Sequence, residues 1–156
     1  MRRWLLLATL IVIIDQVTKY FVMQHFVVNE TWFVNTYFNL VRVHNTGAAF
    51  SFLADAGGWQ RIFFISISLI AVGWILWLMH HYPKQLLFCF GLGMVLGGAI
   101  GNLIDRIIFA SVVDFIQVHY EAYFFPAFNM ADSAITGGAG LLIWDGFKSK
   151  SNTEPS

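Results

Sequence analysis

Leu86 to Ile104 runs for 19 residues without a charged side chain, and Ile62 to Met79 does so for 18. A helix needs about 20 apolar residues to cross the hydrocarbon core of a bilayer. No water is available there to satisfy a bare backbone, so a spanning segment must be a helix or part of a closed barrel. The rest of the chain agrees with this reading. Its 156 residues are enough for one domain. They are 58% apolar and only 12% charged, against about 25% charged in a soluble domain. The nine basic and nine acidic residues cancel, so there is no basic footprint for nucleic acid. A single cysteine, Cys89, builds no internal disulfide framework.

Two further segments complete the membrane pattern. Trp4 to Ile14 is apolar, and the segment continues through Asp15 and Lys19 to about Met23. No small-residue cleavage site follows it, so a retained helix is expected rather than a cleaved leader. The last segment runs from Pro126 to Trp144, with proline in the first helical turn, where its missing N–H had no partner anyway. The expected fold is a mainly α membrane protein. Four transmembrane helices, at about 4–23, 62–79, 86–104 and 126–144, form one domain over 1–148, followed by a polar cytoplasmic tail over 149–156. Basic residues favour the cytoplasmic side. Arg2, Arg3, Lys84, Lys148 and Lys150 fall on one side and Arg42, Arg61 and Arg106 on the other, so both termini are expected in the cytoplasm. Between the first two spans, Thr31 to Val43 is dense in aromatic and β-branched residues, which favour strands. Asn45-Thr46-Gly47 supplies turn chemistry after it. A small β-rich extracytoplasmic platform is predicted, with Trp32, Phe33, Tyr37, Tyr120 and Tyr123 at the headgroup level.

The few polar residues fall at one depth. Asp15 lies roughly 17 Å along the first helix from Trp4 at 1.5 Å per residue, and Lys19 is one turn further out. Asn102, Asp105 and Arg106 close the third span, Asn129 and Asp132 open the fourth, and Asp114 lies between them. An aspartate within a bilayer costs about 2.5–3.5 kcal/mol, so the cluster marks a protected interior. Asp15 and Lys19, four apart in acid-first order, suit a structural ion pair, and Asp105 suits either interfacial solvation or the site. Asn129 and Asp132 share a helix face, with Thr136 continuing the stripe, and an N-terminal cap explains one of the two. Asp114 sits in Val112-Val113-Asp114-Phe115-Ile116, where a charge has no stabilising reason to be. If it meets Asp132 in a low-dielectric pocket, the two share one proton. One can then activate water while the other polarises a carbonyl.

The residues alone leave three uses open for these carboxylates: hydrolysis, an ion or proton pathway, and a structural role in a scaffold. A pathway needs polar groups along its whole length, and the inner halves of the spans offer little beyond Ser66 and Ser68. No serine stands with a base, Cys89 reads as a small hydrophobe, and the scattered histidines lack the His-Glu-x-x-His pattern of helix-borne zinc sites. No metal and no cofactor are expected. Gly93, Gly97 and Gly101, spaced four apart, together with Gly137, Gly138 and Gly140, predict tight packing of the third helix on the fourth. That packing would bring Asn102 and Arg106 near Asp132.

Assembled in order, five stretches resemble the bacterial lipoprotein signal peptidases, the type II signal peptidases. They are Asp15-Gln16-Val17-Thr18-Lys19, Asn45-Thr46-Gly47-Ala48-Ala49-Phe50-Ser51, Gly101-Asn102-Leu103-Ile104-Asp105-Arg106, Val112-Val113-Asp114-Phe115 and Phe128-Asn129-Met130-Ala131-Asp132. The resemblance implies an aspartic endopeptidase of the bacterial inner membrane that acts as a monomer among membrane lipids, its site towards the extracytoplasmic side. It would remove the signal peptide from a prolipoprotein, cutting before a cysteine that carries diacylglycerol. By the same resemblance Asp114 and Asp132 are the catalytic pair. Asn45, Gly47, Asn102, Arg106 and Asn129 would line or brace the site, and Asp15 with Lys19 would support the fold around it.

Overall fold

A computed structural model describes residues 1–47 and 58–151. The elements run α1 (Arg2–His25), β1 (Thr31–Asn35), β2 (Phe38–Asn45), α2 (Trp59–His81), α3 (Leu86–Phe109), β3 (Val112–Tyr120), β4 (Tyr123–Phe124) and α4 (Met130–Ser151). Ala48 to Ser51 of the second matching stretch lie outside the described residues, as do residues 152–156 of the expected tail. Among the described residues α1, α2 and α3 are long and apolar enough to cross a membrane. α4 is a helix of 22 residues, but Asp132, Asp145 and Lys148 interrupt its apolar character.

α3 packs against each of the other helices, and its glycines explain how. A Cβ on Gly97 would lie 2.8 Å from Ala8 O of α1, and one on Gly101 would lie 2.6 Å from Asp15 Oδ2. On the opposite side a Cβ on Gly98 would overlap Ala131 O of α4, and one on Gly138 would lie 2.7 Å from Gly91 O. α3 and α4 therefore pack as closely as expected, but through Gly91, Gly98 and Gly138. The stripe of Gly93, Gly97 and Gly101 faces α1 instead. A helix held between two neighbours needs two small-residue faces, and the spacing of one stripe does not say which neighbour it meets. Below this level Ala8, Ile75, Met79, Leu92 and Leu96 form a buried apolar cluster. α2 presents Ile62, Ile67, Ile70, Trp74 and Trp77 outward, the arrangement that a lipid-facing helix requires.

The four strands form one antiparallel sheet in the order β1-β2-β3-β4. Thr31 to Val43 is not one strand. It turns at Thr36-Tyr37, where Asn35 Oδ1 accepts the Tyr37 N–H at 2.9 Å, an Asx turn. The apolar stretch around Asp114 is itself a strand, with Val112, Val113, Asp114 and Phe115 all buried. Trp32, Phe33, Tyr37, Tyr120 and Tyr123 are exposed at the sheet. The register between β2 and β3 shifts between Leu40 and Val43, which places Val43 opposite Asp114. Such irregularities re-aim side chains near sites.

The helix boundaries differ from expectation for identifiable reasons. α3 continues past Ile104 to Phe109 because Asp105 is paired inside the protein and Arg61 of α2 donates to the terminal carbonyls of Arg106 and Ile107 at 3.2 and 2.8 Å. Arg42 of β2 closes the end of α1 in the same way, donating to Met23 O and Phe26 O at 3.0 and 2.7 Å. α4 begins at Met130, not at Pro126, because Phe128 pairs with Ile116 of β3 first. It then runs through Ser151, beyond Trp144 and the expected start of the tail.

Candidate active site

The bridge between Phe128 and Ile116 delivers Asn129 to the flank of β3 one residue before α4 starts. Asn129 Oδ1 accepts the Asp132 N–H at 2.9 Å, and Asp132 Oδ2 accepts the Asn129 N–H at 3.2 Å. This reciprocal cap accounts for both residues, not one, and puts Asp132 in the first turn of α4. The same Asn129 side chain donates from Nδ2 to Asp114 Oδ1 at 2.7 Å. One asparagine thus joins the strand-borne carboxylate to the helix-borne one. Asn45, at the end of β2, donates to Asp114 Oδ2 at 3.1 Å, and Asn102 of α3 donates to Asp132 Oδ1 at 2.8 Å.

Asp114 and Asp132 line one cavity of about 540 Å³ with Asn45, Asn102 and Arg106. Val118, Phe125, Phe128, Ile135 and Thr136 add a largely apolar wall. Asp114 is pushed up to about 7, first by burial and then by the charge of Asp132, against the opposing pull of the Asn45 and Asn129 donors. A carboxyl at that value still holds a proton for much of the time near neutrality. Arg106 reaches across the rim. Its Nη2 donates to Gly47 O at 3.2 Å, and its guanidinium lies 5.1 Å over the Phe64 ring. Gly47 N–H in turn donates to Asn45 Oδ1 at 2.9 Å, the turn expected at Asn45-Thr46-Gly47, and this orients the Asn45 amide with its NH2 towards Asp114.

Asp15 and Lys19 lie behind the cavity rather than in it. Lys19 Nζ is 2.8 Å from Asp15 Oδ2, 2.9 Å from Asp105 Oδ2 and 3.1 Å from Asn102 Oδ1. All three residues of this triad are buried. The remaining carboxylate capacity is also used. Asp15 Oδ1 accepts the Ala131 N–H at 2.8 Å, and Asp105 accepts from Gln16 Nε2 at 2.9 Å and from the Val113 N–H at 3.1 Å. The triad therefore ties α1 and α3 to β3 and to the start of α4. Asp105, left between two readings by the sequence, belongs here. Sequence reasoning did not single out Gln16, whose amide also donates to Asp15 Oδ2 and Gly101 O at 3.2 Å each. Its one available signal was its place beside Asp15 within the first matching stretch. The apolar wall at Val118, Ile135 and the Phe125–Phe128 segment gave no local signal at all.

Comparison with known proteins identifies the family of the chain. A family model described as signal peptidase (SPase) II matches residues 7–148. The lipoprotein signal peptidase of Cupriavidus pinatubonensis is 49% identical over 142 residues, covering 91% of this chain and 81% of that one. That of Janthinobacterium sp. is also 49% identical, with 91% and 86% covered. A solved structure of a bacterial membrane enzyme, obtained in meso at 2.3 Å resolution, superposes with a TM-score of 0.90 at 32% identity over all of this chain and 94% of the other. A second, at 1.9 Å, gives 0.80 at 32% identity over 92% and 91%. A mainly helical chain with a four-stranded sheet, matched over nearly its whole length in both sequence and structure, belongs to the signal peptidase II family.

Proposed function

We propose that the chain removes signal peptides from prolipoproteins by aspartic catalysis, with Asp114 and Asp132 as the reacting pair. The observation that carries this reading is that two carboxylates from different elements share one cavity and are held there by amides, with no ion pair to either among the described residues. Asp132 carries the charge and takes a proton from water. Asp114 donates its proton to the scissile carbonyl oxygen as the water oxygen bonds to carbon. Collapse of the resulting diol breaks the C–N bond. Asp132 then passes its proton to the leaving amine, and Asp114 recovers one from the diol hydroxyl, so the pair returns to its starting state. Asn102 and Asn129 hold the two carboxylates at their working angles. Asn45 donates to Asp114, and Arg106 with Gly47 frames the rim.

The same reading sets the chain in the membrane. α4 crosses as a fourth span, since 22 residues at 1.5 Å each reach about 33 Å. The basic residues favour cytoplasmic termini, which puts the cavity and the sheet at the extracytoplasmic face of the bacterial cytoplasmic membrane. There a substrate anchored by diacylglycerol presents the bond before its lipidated cysteine at the depth of the pair. Residues 1–148 act as one domain and as a monomer, with lipid around the helices. Asp114→Asn and Asp132→Asn, each purified and shown by melting temperature to be folded, are expected to lose turnover of a lipidated prolipoprotein. Near-normal turnover in either would remove the pair from the mechanism. Ion flux in reconstituted vesicles without peptidase activity would favour a pathway instead.

A further inference from the structure

Asn102 is the point where the buried triad meets the cavity. Its Oδ1 accepts from Lys19 Nζ at 3.1 Å and from Asn129 Nδ2 at 3.2 Å, while its Nδ2 donates to Asp132 Oδ1 at 2.8 Å. A primary amide fits its site either way round unless its partners decide, and an ammonium has only donors to offer. Turning Asn102 over would set its NH2 against Lys19 and against the Asn129 NH2, and its oxygen against the Asp132 carboxylate. Lys19 closes that alternative. One carboxylate would balance Lys19 and it has two, yet a third N–H reaches a side chain that lines the cavity. Lys19 itself does not line the cavity.

We infer that Lys19 is a positioning residue for the reaction: it holds the Asn102 carbonyl from behind, which aims one amide N–H at Asp132 and, through Asn129, a second at Asp114. The inference rests on the reading of Asp114 and Asp132 as the reacting pair. Asp114 on β3 and Arg106 on α3 carry the charges coupled to Asp132, and Asp15 on α1 and Asp105 on α3 are those paired with Lys19. On β2, His44 feels Asp105, and its Nδ1 lies 3.0 Å from Ser111 Oγ. Arg106 Nη1 donates to the Asn102 backbone oxygen at 3.4 Å, but none of these groups donates to Asn102 Oδ1 among the described contacts. Lys19 and Asn129 do.

Lys19→Met alone leaves Asp15 and Asp105 buried without a cation, so the deciding variant is Lys19→Met combined with Asp105→Asn, which removes one charge of each sign. Kinetics on a lipidated prolipoprotein are expected to show KM within about threefold of wild type and kcat down at least ~10-fold. The acid-side limb of the pH–rate profile should move up by about one unit, because a carboxylate loses a donor that favoured its charged form. Asn102→Ser, with the triad intact, is expected to move the same limb in the same direction. A wild-type pH profile in Asn102→Ser overturns the inference whether or not the double variant folds, as does a folded double variant with unchanged kcat. Active Asp114→Asn or Asp132→Asn proteins would instead overturn the underlying reading, so the two failures are distinguishable.

Discussion

Two pairs of carboxylates sit within one hydrogen-bond network, and the protein treats them in opposite ways. Asp15 and Asp105 have an ammonium between them and are sealed from solvent, with backbone and amide donors on their remaining oxygens. Among the described residues, Asp114 and Asp132 accept from side-chain amides and one backbone N–H, and they open onto a cavity. Burying ions is costly, and a buried pair repays that only with full hydrogen bonding. The first pair meets this condition and can serve as structure. The second has a donor on each oxygen but no ion pair among the described residues, and burial with a like charge nearby leaves Asp114 with a proton near neutrality. Among the described residues, the sealed pair is ion-paired to an ammonium, whereas the pair proposed to react shares its cavity with Arg106 but forms no ion pair.

Substitution can break this contrast at either pair. The largest effect is expected at the cavity: Asp114→Asn or Asp132→Asn should lower turnover by at least ~10³-fold, in the range of acid–base contributions, with melting temperature nearly unchanged. At the sealed pair the balance reverses. Lys19→Met should destabilise the fold by about 3–5 kcal/mol, the usual consequence of leaving a buried charge without its partner, and thermal unfolding in detergent would read it directly. Gly98→Ala strikes where the two pairs join. The new Cβ would meet Ala131 O, whose own N–H is held by Asp15 and whose neighbour is Asp132. Both stability, by about 1–3 kcal/mol, and kcat should fall. Gly140→Ala, which meets nothing within 4 Å, should leave both unchanged.

The mildest test uses pH alone. The folded value of Asp114 is raised to about 7 from 3.8, so the protonated form is the one the fold favours. Its contribution to stability is complete below 3.8 and is lost as pH rises through about 7. Turnover should decline over the same upper range as the pair loses its shared proton, about tenfold per pH unit. A flat profile from pH 6 to 9 would mean that Asp114 holds no working proton.

Much of this was legible because hydrocarbon is an unforgiving solvent. Uncharged runs located α2 and α3 without help, and the rarity of charge made each aspartate visible. The boundaries were not legible, because distant partners set them. Asp105 and Arg106 look like the end of a span until Lys19 and Arg61 are seen to hold them. Pro126 looks like the start of a helix until Phe128 is found paired with Ile116. The turn at Thr36-Tyr37 was hidden in a run of strand-favouring residues, and β3 was hidden because an apolar stretch of that length reads equally as connection or strand. The glycine stripe announced close packing correctly but not which neighbour it served. In the site, residue types and spacing pointed to the polar cluster. The spacing of Asp15 and Lys19 already suited a structural ion pair, but that Asp105 completes it while Asp114 and Asp132 open onto the cavity depends on which side chains meet across four elements.

The placement of Lys19 one turn beyond Asp15 has a consequence for biosynthesis. Asp105 and Ala131 emerge long after α1 is made, the latter 116 residues after Asp15. Until then Asp15 would be a bare charge in a segment entering lipid. Its neighbour on the same helix face neutralises it at once, so α1 can insert as a self-balanced unit. The later helices then dock onto a counter-ion already in place.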